Sequence, residues 1–167
     1  LGKKIFITGK GRCNITNASE IEDLFSAVIS NPKFLYSGFY SFTNDQVIHF
    51  FEELGVATKI ERGNRVFPVS DHSSDVIAAL SREMQHLVKV QLHCEVKELL
   101  INNEREIKGV RLANGKKMTA DAVVVATGGI SYPSTGSTGD GYRFARNCGH
   151  KVTELFPSLV PTEVKEW

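Results

Sequence analysis

Long hydrophobic runs, cysteine pairs and one-signed blocks of charge are all missing from this 167-residue chain, and each absence excludes a class of function. No apolar stretch approaches the roughly 20 residues that a membrane-spanning helix needs. The three cysteines, Cys13, Cys94 and Cys148, stand far apart, with no CxxC pair and no Cys/His cluster at metal-ligand spacing. Neither a disulfide framework nor a zinc site is therefore expected. Free thiols suit a reducing compartment, and a cytoplasmic location is the expectation. The 20 basic and 19 acidic residues leave a formal charge of +1. They are scattered, so no long-range field gathers nucleic acid or an anionic membrane surface. The implied partner is a small-molecule substrate, met at a local site. Two triplets, Asn14-Ile15-Thr16 and Asn17-Ala18-Ser19, fit a glycosylation sequon, but that triplet is common by chance and the free cysteines point away from secretion.

What is present is 41% apolar and 23% charged residues, enough for a globular core. Lys4 to Thr8 reads as a short extended stretch, and Gly9-Lys10-Gly11-Arg12-Cys13-Asn14 as a loop built around something. A helix is expected from Glu20 to Ile29, stopped by Asn31-Pro32. A second follows Thr43, with Gln46 completing a capping box, and ends at Gly55. Gly63-Asn64 turns a hairpin between Val56–Ile60 and Arg65–Phe67, closed by Pro68. A third helix runs from about Ser74 to His86, with Val76, Ile77, Leu80 and Met84 inward. From Val88 the period becomes two: Val88 to Leu92, Glu95 to Ile101, Ile107 to Leu112 and Lys116 to Thr119 predict a β-meander over about 88–119. Ala122-Val123-Val124-Val125-Ala126 is apolar throughout, as a parallel strand covered on both faces would be. A helix from about Tyr142 to Cys148 closes the pattern at Gly149. With no repeat, linker or low-complexity stretch, residues 1–167 read as part of one domain.

A buried strand opening into Thr127-Gly128-Gly129 is where doubly wound sheets bind ligands, although any tight strand-to-loop turn needs glycine too. Ser137-Thr138-Gly139-Asp140-Gly141 places hydroxyls, a carboxylate and free amides before a helix. That suits phosphate or ribose hydroxyls, and it equally suits capping by Thr138 or Asp140. Arg12 is either a cation facing a bound group or an exposed loop residue. Cys13 is either a reactive thiol or a small residue filling a gap. Asp71-His72-Ser73 cannot form a hydrolytic triad from adjacent positions and reads as a helix-start cluster. Tyr132, Tyr142 and His150 flank the glycine-rich loop. Arg65 and Phe67 serve either a substrate side or the closure of the hairpin.

Four collinear motifs carry a family resemblance: Thr8 to Asn17, Arg65-Val66-Phe67-Pro68, Ala126 to Pro133, and Thr135 to Tyr142. Together they resemble the HI0933-like (BaiN/YhiN, aminoacetone oxidase-like) FAD-dependent flavoproteins. The resemblance implies an α/β, three-layer FAD/NAD(P)-binding (Rossmann-like) fold containing the β-meander. It implies a flavin-dependent oxidoreductase in which FAD passes hydride or electrons between a small organic substrate and oxygen or NAD(P)H. Gly11, Arg12 and Asn14 would line the flavin or ribityl region, Val96 would hold the adenine through its backbone, and Thr127, Gly128 and Gly129 would lie near the pyrophosphate. A looser likeness to fumarate-reductase-type flavoproteins adds Gly139 and Asp140. No catalytic residue is implied. The chain departs from the family in having Lys10 where a glycine is usual. It also lacks the GxGxxG unit expected before Leu1 and the segments expected after Trp167, so by itself it would hold FAD weakly and be inactive. The competing readings are a non-catalytic nucleotide-binding or structural module, and a nicotinamide-only dehydrogenase, in which the Gly-Arg-Cys-Asn loop would have no role.

Overall fold

The computed structural model describes residues 1–157, which form two compact units, Leu1–Leu92 and His93 onward. In the first unit the chain opens with helix α1 (Lys3–Ile7), followed by a tight turn through Thr8–Gly11. Strand β1 (Thr16–Asn17) and helices α2 (Ile21–Ser26), α3 (Tyr36–Ser41) and α4 (Asn44–Glu53) come next. Then follow β2 (Thr58–Glu61), β3 (Arg65–Pro68) and the long helix α5 (Ser73–Leu87). The strands make one antiparallel sheet in the order β1-β3-β2. The second unit holds a meander, β4 (Val96–Ile101), β5 (Ile107–Leu112) and β6 (Lys117–Thr119), and then helix α6 (Asp140–Asn147).

Local chemistry explains most of these boundaries. At the start of α4, Thr43 Oγ1 accepts from the Gln46 amide at 3.2 Å, and Gln46 Oε1 accepts from the Thr43 amide at 2.8 Å. This is the reciprocal capping box expected from the sequence. The hairpin turns through Gly63 and Asn64, both left-handed, and pairs Glu61 with Arg65 and Thr58 with Pro68. The core of this unit gathers Cys13, Val56, Val76 and Ala79, with Ile5, Ile15, Phe51, Leu54 and Leu80 packed around it. Phe25 of α2 is buried in an aromatic cluster with Tyr36, Phe39 and Tyr40.

Three expectations require correction. Lys4 to Thr8 is not extended: Ile5 turns onto the core while Phe6 and Ile7 stay exposed, a one-sided pattern that a helical turn provides and a strand of alternating faces does not. Val88 to Leu92 joins neither described sheet, so the meander begins at Val96; α5 extends to Leu87, leaving Val88, Val90 and Leu92 exposed. Ala122 to Ala126 forms no ladder, and Val124 is 89% exposed. An all-apolar run is held as a strand only by neighbours on both edges and both faces, and neither described sheet supplies them.

The turn after α1 is the tightest piece of backbone. Gly9, Lys10 and Gly11 are all left-handed, at φ 56°, 57° and 87°, and Cys13 follows at φ 64°. A Cβ on Gly9 would lie 2.7 Å from the Asn14 nitrogen and 2.8 Å from Phe67 Cε1, so only glycine lets the loop close on that ring. Lys10 keeps the conformation a glycine would favour, at the cost of Cβ crowding. In the full-length protein, Gly9→Ala is expected to lower unfolding free energy by about 2–3 kcal/mol, combining left-handed strain with the clash. Lys10→Gly is expected to raise it by about 1 kcal/mol. Urea denaturation of both variants checks the pair of opposite signs.

Candidate functional site

In the first unit the segment after the turn is stitched to the hairpin. The amides of Ile15 and Ala18 donate to Val66 and Asn64 at 2.8 and 2.7 Å. The Asn14 side chain, with its nitrogen turned toward the carbonyls, donates to Val66 and Thr16 at 3.2 and 3.0 Å. Asn17 Nδ2 donates to the Gly63 carbonyl, and Asn44 Nδ2 clamps the same segment through the carbonyls of Asn17 and Ser19. Both sequon asparagines thus hold backbone. Cys13 is buried in the core, which pushes its thiol pKa up, with Thr8 acting in the opposite direction. This places it with the gap-filling reading.

Arg12 sits on this platform. Its guanidinium carbon lies 4.1 Å from the centre of the Phe67 ring, and Nη1 donates to Glu61 Oε1 at 2.9 Å and Asp71 Oδ1 at 3.1 Å. Lys59 Nζ donates to Asp71 Oδ2 at 2.6 Å and lies 3.6 Å from Glu61. The hydrogen bond from Arg12 holds the Glu61 carboxyl below its usual range, while that from Lys59, and then that from Arg12, does the same for Asp71. Sequence reasoning missed Lys59, Glu61 and Asp71. The signal was there in β2: Lys59 and Glu61 are two apart, hence on one face, and they pair with Phe67 and Arg65. Asp71 belongs to this charge cluster, and neither His72 nor Asp71 caps α5 through its side chain. Phe67 is buried, with Arg65 as well as Arg12 over its ring, so it closes the hairpin.

The second unit holds the other six expected positions and brings five of them, Thr127, Gly128, Gly129, Gly139 and Asp140, into one loop cluster. The Gly139 amide donates to the Gly129 carbonyl at 3.1 Å, and a Cβ on Gly141 would come 3.1 Å from Thr127 Oγ1. Gly128 approaches buried Ser137 as closely: its Cβ would lie 3.1 Å from Ser137 Oγ. Gly139 is left-handed at φ 83°, and a Cβ there would lie 2.9 Å from Ile130 Cγ2. Gly139 itself stands at the start of α6 without side-chain capping. Asp140 Oδ1 accepts from Arg143 at 2.6 Å and Oδ2 from Thr138 at 2.9 Å; the Arg143 bond comes first in keeping its pKa low. Arg143 also donates to the Lys97 carbonyl, which ties the loop to β4 one residue beyond Val96. Val96 pairs with Leu112 next to a bulge. Tyr142 lies beside Gly129, while His150 is exposed after α6.

The donor set is of the kind a dinucleotide needs. Exposed Thr127 and Gly128 offer a hydroxyl and a backbone approachable by a ligand, and Asp140 keeps lone-pair directions beyond the two in use. Among the described residues no group of three or more His, Cys, Asp or Glu side chains could hold a metal ion, and no helix is long and apolar enough to cross a membrane.

The described residues form a mixed α/β chain with two antiparallel three-stranded sheets, and the family match places it in the Rossmann-like class. The HI0933-like protein Rossmann domain matches residues 1–159, and the chain belongs to that family. It is 35% identical over 168 aligned positions to a 3-dehydro-bile acid delta(4,6)-reductase of Clostridium scindens, covering 99% of this chain and 39% of that protein. Ribosomal RNA dihydrouridine synthases of Haemophilus influenzae and Escherichia coli are 29% and 27% identical, covering 99% and 96% of this chain and 41% and 39% of theirs. The chain thus spans about two fifths of the length of these relatives.

Because the folded pKa values of Glu61 and Asp71 are depressed, their stabilising contribution is complete above the ordinary carboxylate range. It is lost as pH falls through the lower folded values. Both side chains are partly solvated, so the effect is modest. Acid titration of full-length protein followed by circular dichroism should show a flatter acid limb for the Glu61→Gln/Asp71→Asn double variant than for the wild type. Identical limbs would refute the coupling.

Proposed function

We propose that the full-length protein is an FAD-dependent oxidoreductase that moves electrons between a small organic substrate and oxygen or NAD(P)H. The observation that carries this reading is the family match over residues 1–159, together with the convergence of Thr127–Gly129, Gly139–Asp140 and the start of β4 within one unit. FAD, when bound, supplies the redox chemistry, and the protein binds, orients and tunes it. The backbone of Thr127, Gly128 and Gly129 would serve the pyrophosphate, Val96 the adenine, and Gly139 and Asp140 the sugar or ribityl hydroxyls. A carboxylate accepts well from hydroxyls and would be repelled by phosphate, which favours that assignment for Asp140. Gly11, Arg12 and Asn14 would face the flavin side. The cation Arg12 would stabilise negative charge on the reduced ring.

The relatives' names point to different substrates, one a bile acid and the others ribosomal RNA. The near-neutral, unpatterned charge of this chain supports a small organic substrate, since RNA binding rests on basic surface. The names of two relatives favour a second reading, a base within RNA.

Purified full-length protein is expected to show the visible absorption of oxidised flavin and to retain FAD through gel filtration. A colourless protein that takes up no FAD on reconstitution would overturn the reading. Gly139→Val is expected to weaken FAD binding about tenfold, because the left-handed φ of 83° and a Cβ 2.9 Å from Ile130 Cγ2 would displace the loop. Salt-dependent retention of ribosomal RNA fragments, with no reoxidation of the reduced protein by small organic acceptors, would select the RNA reading.

A further inference from the structure

The arrangement around Arg12 has more order than a surface cation requires. Two carboxylates from different elements, Glu61 at the end of β2 and Asp71 in the turn before α5, converge on the single nitrogen Nη1. The turn places Asp71 there by an uncommon route: its backbone is left-handed at φ 59°, and its amide donates to the Pro68 carbonyl at 3.0 Å. Phe67 supports the flat of the guanidinium. Of its five N–H donors, those on Nε and Nη2 meet no acceptor among the described residues. One corner of the group is therefore anchored, and the donors on the other nitrogens are uncommitted in a side chain 33% exposed.

We propose that Glu61 and Asp71 are positioning residues, which hold Arg12 by one nitrogen against Phe67 so that its opposite donor edge is presented to the flavin. This rests on the reading above, in which Arg12 lines the flavin side. Charge alone would assign the carboxylates the contrary role. With Lys59 the cluster sums to zero, and a pair of anions near an electron-accepting ring opposes its reduction. Geometry dominates because a directed hydrogen bond from a fixed guanidinium acts at contact distance. The unanchored side chain would be free to sample many rotamers in partly exposed surroundings, where water and salt screen its charge.

The two roles have opposite signs in the flavin itself. With FAD-loaded full-length protein, the test compares the flavin midpoint potential and the dissociation constant for sulfite, which bleaches flavin absorption and is favoured by nearby positive charge. Thermal melting is recorded alongside as a check on folding. Arg12→Gln is expected to lower the potential and weaken sulfite binding about tenfold. Glu61→Gln/Asp71→Asn is expected to shift both in the same direction although it makes the cluster more positive. A raised or unchanged potential in the double variant, with Arg12→Gln lowering it, would overturn the proposal and leave the flavin-side placement of Arg12 standing. Unchanged values in Arg12→Gln would instead overturn that placement. Should the double variant fail to retain FAD, Glu61→Gln alone carries the same comparison with the same two outcomes.

Discussion

The ring of Phe67 is the surface on which the first unit closes. It lies at the centre of β3, almost wholly buried, and the backbone at Gly9 approaches it more closely than any side-chain-bearing residue could. That approach brings the Gly9–Asn14 turn onto the hairpin, where the amides of Ile15 and Ala18 extend the sheet by one short strand. Arg12 lies over the ring, and the carboxylates of β2 and of the turn before α5 hold it there. Removing the aromatic ring would loosen the turn at Gly9 and the seat of Arg12 together, since both close on it.

The second unit reaches its geometry by a different route. Its loops are joined less by apolar burial than by glycines that let backbone touch backbone, with Arg143 joining α6 to the meander. Only Leu112 and Phe144 are buried apolar residues among those described here. Such a unit is specified by hydrogen bonds and steric exclusion, which favour a definite loop shape over a thick core.

The parts of the fold legible in the sequence were those governed by neighbours in the chain. The Thr43/Gln46 capping box, the Gly63-Asn64 hairpin, helix α5 and the meander from Val96 to Thr119 all depend on local spacing. The misread pieces depend on partners distant in sequence. Ile5 and Ile7 alternate like a strand, yet helix α1 forms because Ile5 finds the core and Ile7 does not. The collinear motifs revealed the glycine-rich loops and Arg12. The carboxylates that seat Arg12, 49 and 59 residues away, could be found only by noticing that Lys59 and Glu61 share a strand face. Asp71 was harder still: aspartate tolerates a left-handed backbone, but nothing near it in the chain says that it turns toward β2 and Arg12.

The bare run at Ala122 to Ala126 has a consequence for how such a chain survives in a crowded cell. Five consecutive residues without charge, three of them β-branched, with Val124 open to solvent, form a template for intermolecular strand pairing. While such a run is uncovered during synthesis, it sets a window for aggregation. The residue pattern that best accommodates a buried sheet is thus also the segment most in need of early protection.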